Sequence, residues 1–391
     1  MVDSSSREWR SIRRTGICKL LSLHLPEKLT TLASVNWGGD LVQDLQHILR
    51  HFDLGEVSGC EVIQSGLMHS TYKVQTSTAA FILQRLHHKL STQAILNDYV
   101  RVTAHLHEKG FSAPRVCRTI DGQDIFTDED NRWWRLTTYV PGETHERVSS
   151  VEQARQGAQI LGAFHTGMLD FPFPFESAHP LHDTEGHLEG LAQALSNADY
   201  SAHWHLVSDA ADQILTLMDQ VRMPQDLPQR VVHGDPKISN VMFSESDAIG
   251  MIDLDTCNRH TVLVDLGDAI RSWCRDGYED EVQRFHLDRF EGILDGYSKS
   301  GAGLSPPEVE CLWMAGPMIT LELASRFARD VLEDSYFAFD ATNYPNRREH
   351  NLARMKSMLF LAQDMLAQRD EMRSLINSYF PINDRRGIEH V

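Results

Sequence analysis

Over residues 40–52 the apolar positions Leu41, Leu45, Ile48, Leu49 and Phe52 recur at helical spacing and predict a helix leading into the fold. The pattern then shifts to runs rich in β-branched and aromatic residues. Residues 61–64, 71–75 and 80–86 predict strands, the first two bracketing the turn Ser65-Gly66-Leu67-Met68-His69-Ser70. Residues 93–109 are amphipathic and stop at Gly110, as a helix does. Asp121-Gly122 is a hairpin signal, and residues 133–140 predict a further strand closing at Pro141-Gly142. Three strands, a helix and two more strands describe a small antiparallel sheet carrying one helix, an α+β unit.

From residue 151 the periodicity is mostly helical, over 151–168, 205–221, 265–273, 279–300, 307–332 and 346–368. The stretch Phe171-Pro172-Phe173-Pro174-Phe175 is too proline-rich for a helix or a central strand. The expected organisation is an N-terminal extension over 1–39, a sheet lobe over 40–140 and a helical lobe over 141–391, with Pro141-Gly142 as the hinge. The extension is Arg-, Lys- and Ser-rich without an apolar core and reads as a frayed or over-long start.

With 41% hydrophobic and 24% charged residues, the chain has the composition of a folded protein rather than a disordered one. Its formal charge of -18 has the wrong sign for general phosphate-backbone binding, so no nucleic-acid partner is expected. No apolar run approaches the ~18 residues of a membrane span. The cysteines Cys18, Cys60, Cys117, Cys257, Cys274 and Cys311 lie far apart without a C-x-x-C pair, which reads as free thiols in a reducing, cytoplasmic setting. Oligomeric state leaves no trace in the sequence.

The chemistry concentrates in Val231-Val232-His233-Gly234-Asp235-Pro236-Lys237-Ile238-Ser239-Asn240, followed by Gly250-Met251-Ile252-Asp253-Leu254-Asp255. Phosphoryl transfer to a hydroxyl needs a carboxylate to orient the nucleophile and take its proton, with oxygen ligands for Mg²⁺ on the β- and γ-phosphates. Asp235 after a buried strand, Asn240 five residues on and Asp253 at the end of the next hairpin supply those parts. Lys237 reaches the migrating phosphate as a point charge, although a solvated loop lysine is the plain alternative. Either short string alone would be loop punctuation; both together, between apolar strands and behind a hinge, point to a site.

Here the chain resembles the kinase-like phosphotransferases, the superfamily of aminoglycoside phosphotransferases and choline kinases, since H-G-D-x-K-x-x-N then I-D is their catalytic and metal-binding signature. The resemblance implies a bilobal, protein-kinase-like α+β fold with ATP and Mg²⁺ between the lobes. It makes Asp235 the base, Asn240 and Asp253 the Mg²⁺ ligands and His233 a loop-bracing residue, with Asp255 a further metal or structural acid. In Asp265-Leu266-Gly267-Asp268 it suggests a helix cap that holds the catalytic loop.

The phosphate-covering turn has one glycine, Gly66, so its cradle would use the backbone N–H groups of Met68, His69, Ser70 and Thr71. The strand expected to carry a phosphate-pairing lysine offers Gln84, followed by Arg85, and the next helix starts with Asn97 and Asp98 rather than a glutamate partner. Phosphate contact shifted to Gln84 or Arg85, or impaired catalysis, are the two readings.

Several segments are similar to the N-acetylhexosamine kinase branch, which phosphorylates the anomeric hydroxyl of a free sugar: His69-Ser70-Thr71-Tyr72, Phe81-Ile82-Leu83-Gln84-Arg85, Leu181-His182-Asp183-Thr184, Asp265 to Arg271, and Arg326-Phe327 through Tyr336-Phe337. Gly234, where that branch commonly has Asn, is shared with the aminoglycoside group. The expected acceptor is an (N-acetyl)hexosamine or related sugar, with Asp235, Arg271, Arg326 and Tyr336 as its contacts. The alternatives are an aminoglycoside, choline or homoserine-type kinase and a non-catalytic nucleotide-binding pseudokinase. Trp204, Trp273 and Trp313 read as core, and His182-Asp183-Thr184-Glu185-Gly186-His187 lacks a metal-binding frame.

Overall fold

The fold is that of a computed structural model, which describes residues 40–63, 69–177, 182–198 and 203–382. Helix α1 (Asp40–Leu49) sends Leu45, Ile48 and Leu49, with Phe52, onto an antiparallel sheet. The sheet contains β1 (Val57–Ile63), β2 (Ser70–Thr76), β3 (Ala80–Arg85), β4 (Val116–Cys117), β5 (Phe126–Thr127) and β6 (Trp133–Thr138), ordered β1-β2-β3-β6-β4 with β5 also on β6. Because side chains alternate across a strand, Val74, Leu83, Trp134 and Leu136 reach the same apolar cluster as α1.

Helix α2 (Gln93–Glu108) comes after β3 and starts at Thr92, whose hydroxyl accepts the Ile95 N–H. Its buried face, Tyr99, Val102 and Leu106, joins the core of the helical region, so α2 couples the sheet to the C-terminal helices. The chain passes from the sheet to the helical region at Gly142, which combines φ +140° with a place where a Cβ would lie 2.5 Å from the Phe243 carbonyl oxygen. Only glycine fits there, and reciprocal hydrogen bonds between Glu143 and Phe243, 2.9 and 2.8 Å, fix the crossing.

The helical region contains α3 (Val151–Gly167), α4 (Thr184–Asn197), α5 (Trp204–Val221), β7 (Arg230–Val232), the hairpin β8 (Val241–Ser244) and β9 (Asp247–Met251), β10 (Asn258–His260), α6 (Leu263–Trp273), α7 (Leu287–Lys299), α8 (Pro306–Glu333), α9 (Arg347–Ala367) and α10 (Arg369–Tyr379). This is the bilobal, kinase-like α+β architecture. Trp273 and Trp313 are buried in its core.

One expectation is corrected, and two helices are found that the periodicity does not predict. The helix expected over 279–300 begins only at Leu287, because the Glu281 carbonyl accepts the Ser357 hydroxyl and the Phe285 N–H goes to Asp364, so tertiary partners replace helical ones. Helix α4 is absent from the expected elements: Gly186 and Gly190 weaken its pattern, while the Asp183 cap and buried Leu188, Leu191 and Ala194 hold it. Helix α10, with Met372 and Ile376 buried, is absent from them too, because so few of its positions are apolar.

Candidate active site

Buried Val231 and Val232 anchor β7, and β10 pairs back onto it with Asn258 opposite Val232, so the chain from His233 to Cys257 forms a closed loop on a rigid base. Asp265 braces this loop from the first turn of α6: its two carboxylate oxygens accept the His233 N–H at 2.7 Å and the Gly234 N–H at 2.9 Å. His165 of α3 lies 2.9 Å from the same carboxylate and 2.9 Å from the Tyr297 hydroxyl of α7. Asp265 is thus held from three helices and acts on the loop rather than on a ligand.

His233 is a second brace. Its Nε2 donates to the Ile252 carbonyl at 3.0 Å, which leaves Nδ1 to accept the Asp235 N–H at 3.3 Å. Gly234 has φ +86° and would place a Cβ 2.5 Å from the Thr256 carbonyl oxygen. A side chain there would push the loop off the next turn, which is the physical reason for glycine in this H-G-D sequence.

These contacts fix Asp235. Its Oδ2 accepts Lys237 Nζ at 2.8 Å, and Asn240 Nδ2 donates to its carbonyl at 2.8 Å and to Oδ2 at 3.4 Å. Burial pushes the Asp235 carboxyl up, but the charge and hydrogen bond of Lys237 outweigh it and hold the group below its ordinary value. Lys237 moves the other way: despite its desolvation, Asp235 keeps it protonated. An ionised carboxylate therefore stands near the start of the loop.

Asp253 occupies the left-handed region, φ 63° and ψ 55°. Aspartate reaches this region more readily than most non-glycine residues, as Asp334 also does at the end of α8. Burial and the neighbouring Asp255 and Asp235 raise its carboxyl, and among the described residues none donates a hydrogen bond to it. Asn240 Oδ1 is left over once Nδ2 has bonded Asp235, so both residues keep the hard oxygen type of donor that a divalent cation takes.

His69, Asp253 and Asp255 present ligand-type atoms within 4.8 Å of one another, yet the trio as a whole does not suit a metal. His69 Nδ1 accepts the His87 N–H at 3.1 Å, so Nε2 of the neutral ring carries the proton and has no lone pair to give. Asp255 is spent on Arg135, whose Nη1 and Nη2 each donate to one of its carboxylate oxygens at 2.7 Å. His69 Nε2 is a buried donor 3.5 Å from Asp255, without a hydrogen-bond partner of its own.

Arg135 is the residue that sequence reasoning misses. It stands opposite Gln84 in the β3–β6 register, is 1% exposed, and donates to Gln84 Oε1 at 2.8 Å while stacking over the Tyr99 ring, 3.6 Å from its centroid. The glutamine at the expected lysine position thus accepts from a guanidinium on the next strand. A signal exists: one arginine inside the apolar run Trp133-Trp134-Arg135-Leu136 needs a buried partner.

On the nucleotide side, Arg85 Nη2 donates to the Ser70 hydroxyl at 2.8 Å, and Thr71 pairs with Gln84 across β2 and β3. Gly66 and Met68 lie outside the described residues. Asp98 turns away from Gln84 and accepts the Glu176 and Ser177 N–H groups, at 2.9 and 2.8 Å. Asn97 donates to the Glu176 carboxylate at 2.7 Å.

Of the residues expected to contact an acceptor, Arg271 is buried and gives Nε to Asp268 at 2.8 Å and Nη1 to Glu279 at 3.0 Å, so its guanidinium is committed to the protein. Arg326 faces the rings of Tyr336 and Phe337, 5.8 and 5.6 Å from their centroids. Tyr336 is 56% exposed, and Lys89 from the sheet lobe reaches its ring at 4.9 Å. Buried Asp330, which carries no motif signal either, sets this wall by accepting the Ser335, Tyr336 and Phe337 N–H groups and the Asn351 amide.

A family model described as "Phosphotransferase enzyme family" matches residues 59–298. The chain belongs to that family. This phosphotransferase is 27% identical to a homoserine kinase of Rhodopseudomonas palustris (strain BisA53), over 75% of this chain and 84% of that one. Among solved structures it is similar to a microcompartment-associated aminopropanol kinase, with TM-score 0.61, 17% identity and coverage of 84% of this chain and 98% of that one. It is likewise similar to an aminoglycoside phosphotransferase from Alicyclobacillus acidocaldarius, with TM-score 0.59, 14% identity and coverage of 85% and 96%. It is a small-molecule phosphotransferase acting on a hydroxyl acceptor. Family membership implies a nucleoside triphosphate and a divalent cation. No described helix is long and apolar enough to cross a membrane.

Proposed function

We propose that this phosphotransferase moves the γ-phosphate of ATP, with Mg²⁺ held by Asn240 and Asp253, to the anomeric hydroxyl of an (N-acetyl)hexosamine or related sugar. The observation that carries the reading is the Asp235 carboxylate, fixed by the His233–Asp265 bracing and kept ionised beside Lys237. Asp235 orients the acceptor hydroxyl and takes its proton as the new O–P bond forms. Lys237 spreads its charge between Asp235 and the transferred group. When bound, the divalent cation supplies neutralisation of the β- and γ-phosphate oxygens. His69, Ser70, Thr71 and Arg85 provide donors on the phosphate side, with Gly66 in the same turn of the sequence.

The sugar reading rests on the acceptor wall and on the segments that resemble the hexosamine kinases. Arg326 supplies a polar group and Tyr336 an exposed flat face, the combination a ring with hydroxyls needs, with Arg271 buried behind them on Asp268 and Glu279. The intact set Asp235, Asn240 and Asp253 favours turnover over a binding-only role. A homoserine-type acceptor is the second reading, favoured by the homoserine kinase names of the relatives. A panel of N-acetylhexosamines, neutral hexoses, homoserine, choline and aminoglycosides, with ATP and Mg²⁺ and mass detection of product, separates the two. A sugar 1-phosphate is expected; O-phosphohomoserine alone would replace the reading.

A further inference from the structure

Two cations from different lobes converge on one aromatic ring. Lys89, in the turn after β3, brings Nζ to 4.9 Å from the centre of the Tyr336 ring, and the Arg326 guanidinium of α8 lies 5.8 Å from the same centre. The ring is fixed from behind. Asp330 accepts the Tyr336 N–H at 2.8 Å, and the ring meets Phe337 edge-on at 4.9 Å, with Phe337 packed in turn on Phe327. The ring is nevertheless 56% exposed, Lys89 beside it is exposed and Arg326 is half-buried, so all three are open to a ligand.

Among the described residues neither cation has a carboxylate partner, although the chain carries a formal charge of -18 and Lys237, Arg135 and Arg271 each pair with an aspartate. The negative face of a ring attracts cations, but a cation–π contact leaves their N–H groups free to donate. An anion suits such a pair best: a carboxylate takes a guanidinium with both oxygens and an ammonium at a point. A neutral hydroxyl gains no charge–charge attraction there, and an ammonium is repelled.

Hydrogen bonds tie the turn that carries Lys89 to the catalytic carboxylates. The Lys89 N–H donates to His87 Nδ1 at 3.3 Å, the His87 N–H donates to His69 Nδ1 at 3.1 Å, and His69 Nε2 lies 3.5 Å from Asp255, two residues after Asp253. The two free charges thus stand at one end of a short relay whose other end is the cation and phosphate region.

We propose that Lys89 and Arg326 form a carboxylate subsite for the acceptor, with the Tyr336 ring as the platform beside it. The proposal rests on the sugar reading, in which the acceptor lies against Tyr336, and deepens it: the acceptor bears a carboxylate in addition to the hydroxyl presented to Asp235. A sugar acid and a hydroxy amino acid share that chemistry.

The test measures kcat/KM, with ATP and Mg²⁺, for two pairs of acceptors that differ at the carboxylate. One pair is N-acetylglucosamine and its 6-carboxylate; the other is 3-aminopropan-1-ol and homoserine. The proteins are the wild type, Lys89→Glu and Arg326→Gln, with melting temperatures to verify folding. On the wild type, in the pair that is turned over, the carboxylate-bearing member is expected to lead by about tenfold or more, mainly through KM. That lead is expected to vanish or invert on K89E and to shrink on R326Q, whereas a merely structural loss would slow both members alike. No lead on the wild type, or a lead of wild-type size on folded K89E and R326Q, overturns the subsite and leaves the sugar reading standing where N-acetylglucosamine is phosphorylated. A lead for homoserine alone, lost on K89E, upholds the subsite and overturns the sugar reading. A wild type that phosphorylates none of the four overturns both.

Discussion

Arg135 on β6 and Asp255, two residues after Asp253, form a two-pronged ion pair that is almost wholly buried and joins the sheet lobe to the helical lobe. Gln84 on one side and the Tyr99 ring on the other complete the seat of the guanidinium. Breaking such a pair on one side strands a buried charge, at about 3–5 kcal/mol. Arg135→Met is expected to lower the free energy of unfolding, read by urea titration, by an amount in that range. Arg135→Met combined with Asp255→Leu should recover most of it, because the stranded charge is gone. Additive losses in the double variant would refute this account of the pair.

Gly234 carries a second prediction. Its φ of +86° and the 2.5 Å approach to the Thr256 carbonyl mean that Gly234→Ala must move the loop that presents Asp235. The expected cost is about 1–3 kcal/mol, with kcat falling more than tenfold while nucleotide affinity, read by fluorescence titration, changes little. Alanine at an exposed glycine with open space around it, such as Gly55, serves as the reference for the backbone term alone.

The His182–Glu322 pair predicts a pH dependence. Burial lowers the proton affinity of the imidazole, and Glu322 more than restores it, raising the pKa from 6.5 to about 9. A raised histidine pKa gives stability that is fully present below the unfolded value of 6.5 and lost as pH rises through about 9. Folding stability is therefore expected to fall between pH 6.5 and 9 by on the order of 3 kcal/mol, and Glu322→Gln should flatten that slope. Asp255 has the opposite sign: against the effect of its burial, Arg135 holds its carboxyl well below the usual range, so its contribution is lost only in acid.

The strands and the catalytic signature are local patterns, so β1 to β3 and β6 and the order Asp235, Lys237, Asn240, Asp253 are legible in the residues alone. The Arg135 pair joins residues 120 apart in the chain, and His182–Glu322 joins residues 140 apart. No spacing rule reaches such contacts. Helix α4 is hidden for a related reason: its glycines obscure the period, and it is stabilised by a side-chain cap and by burial against α8, on which Arg329 approaches Gly190.

The most direct test of the central claim compares the wild type with Asp235→Asn, an almost isosteric change that removes the proton acceptor. Each is incubated with ATP, Mg²⁺ and the best acceptor of the panel, and the phosphorylated product is followed by mass. The account predicts a fall in kcat of about 10²–10⁴-fold, with a melting temperature and ATP affinity close to those of the wild type. A folded Asp235→Asn protein that turns over at the wild-type rate would contradict Asp235 as the base, and with it the chemistry assigned to this loop.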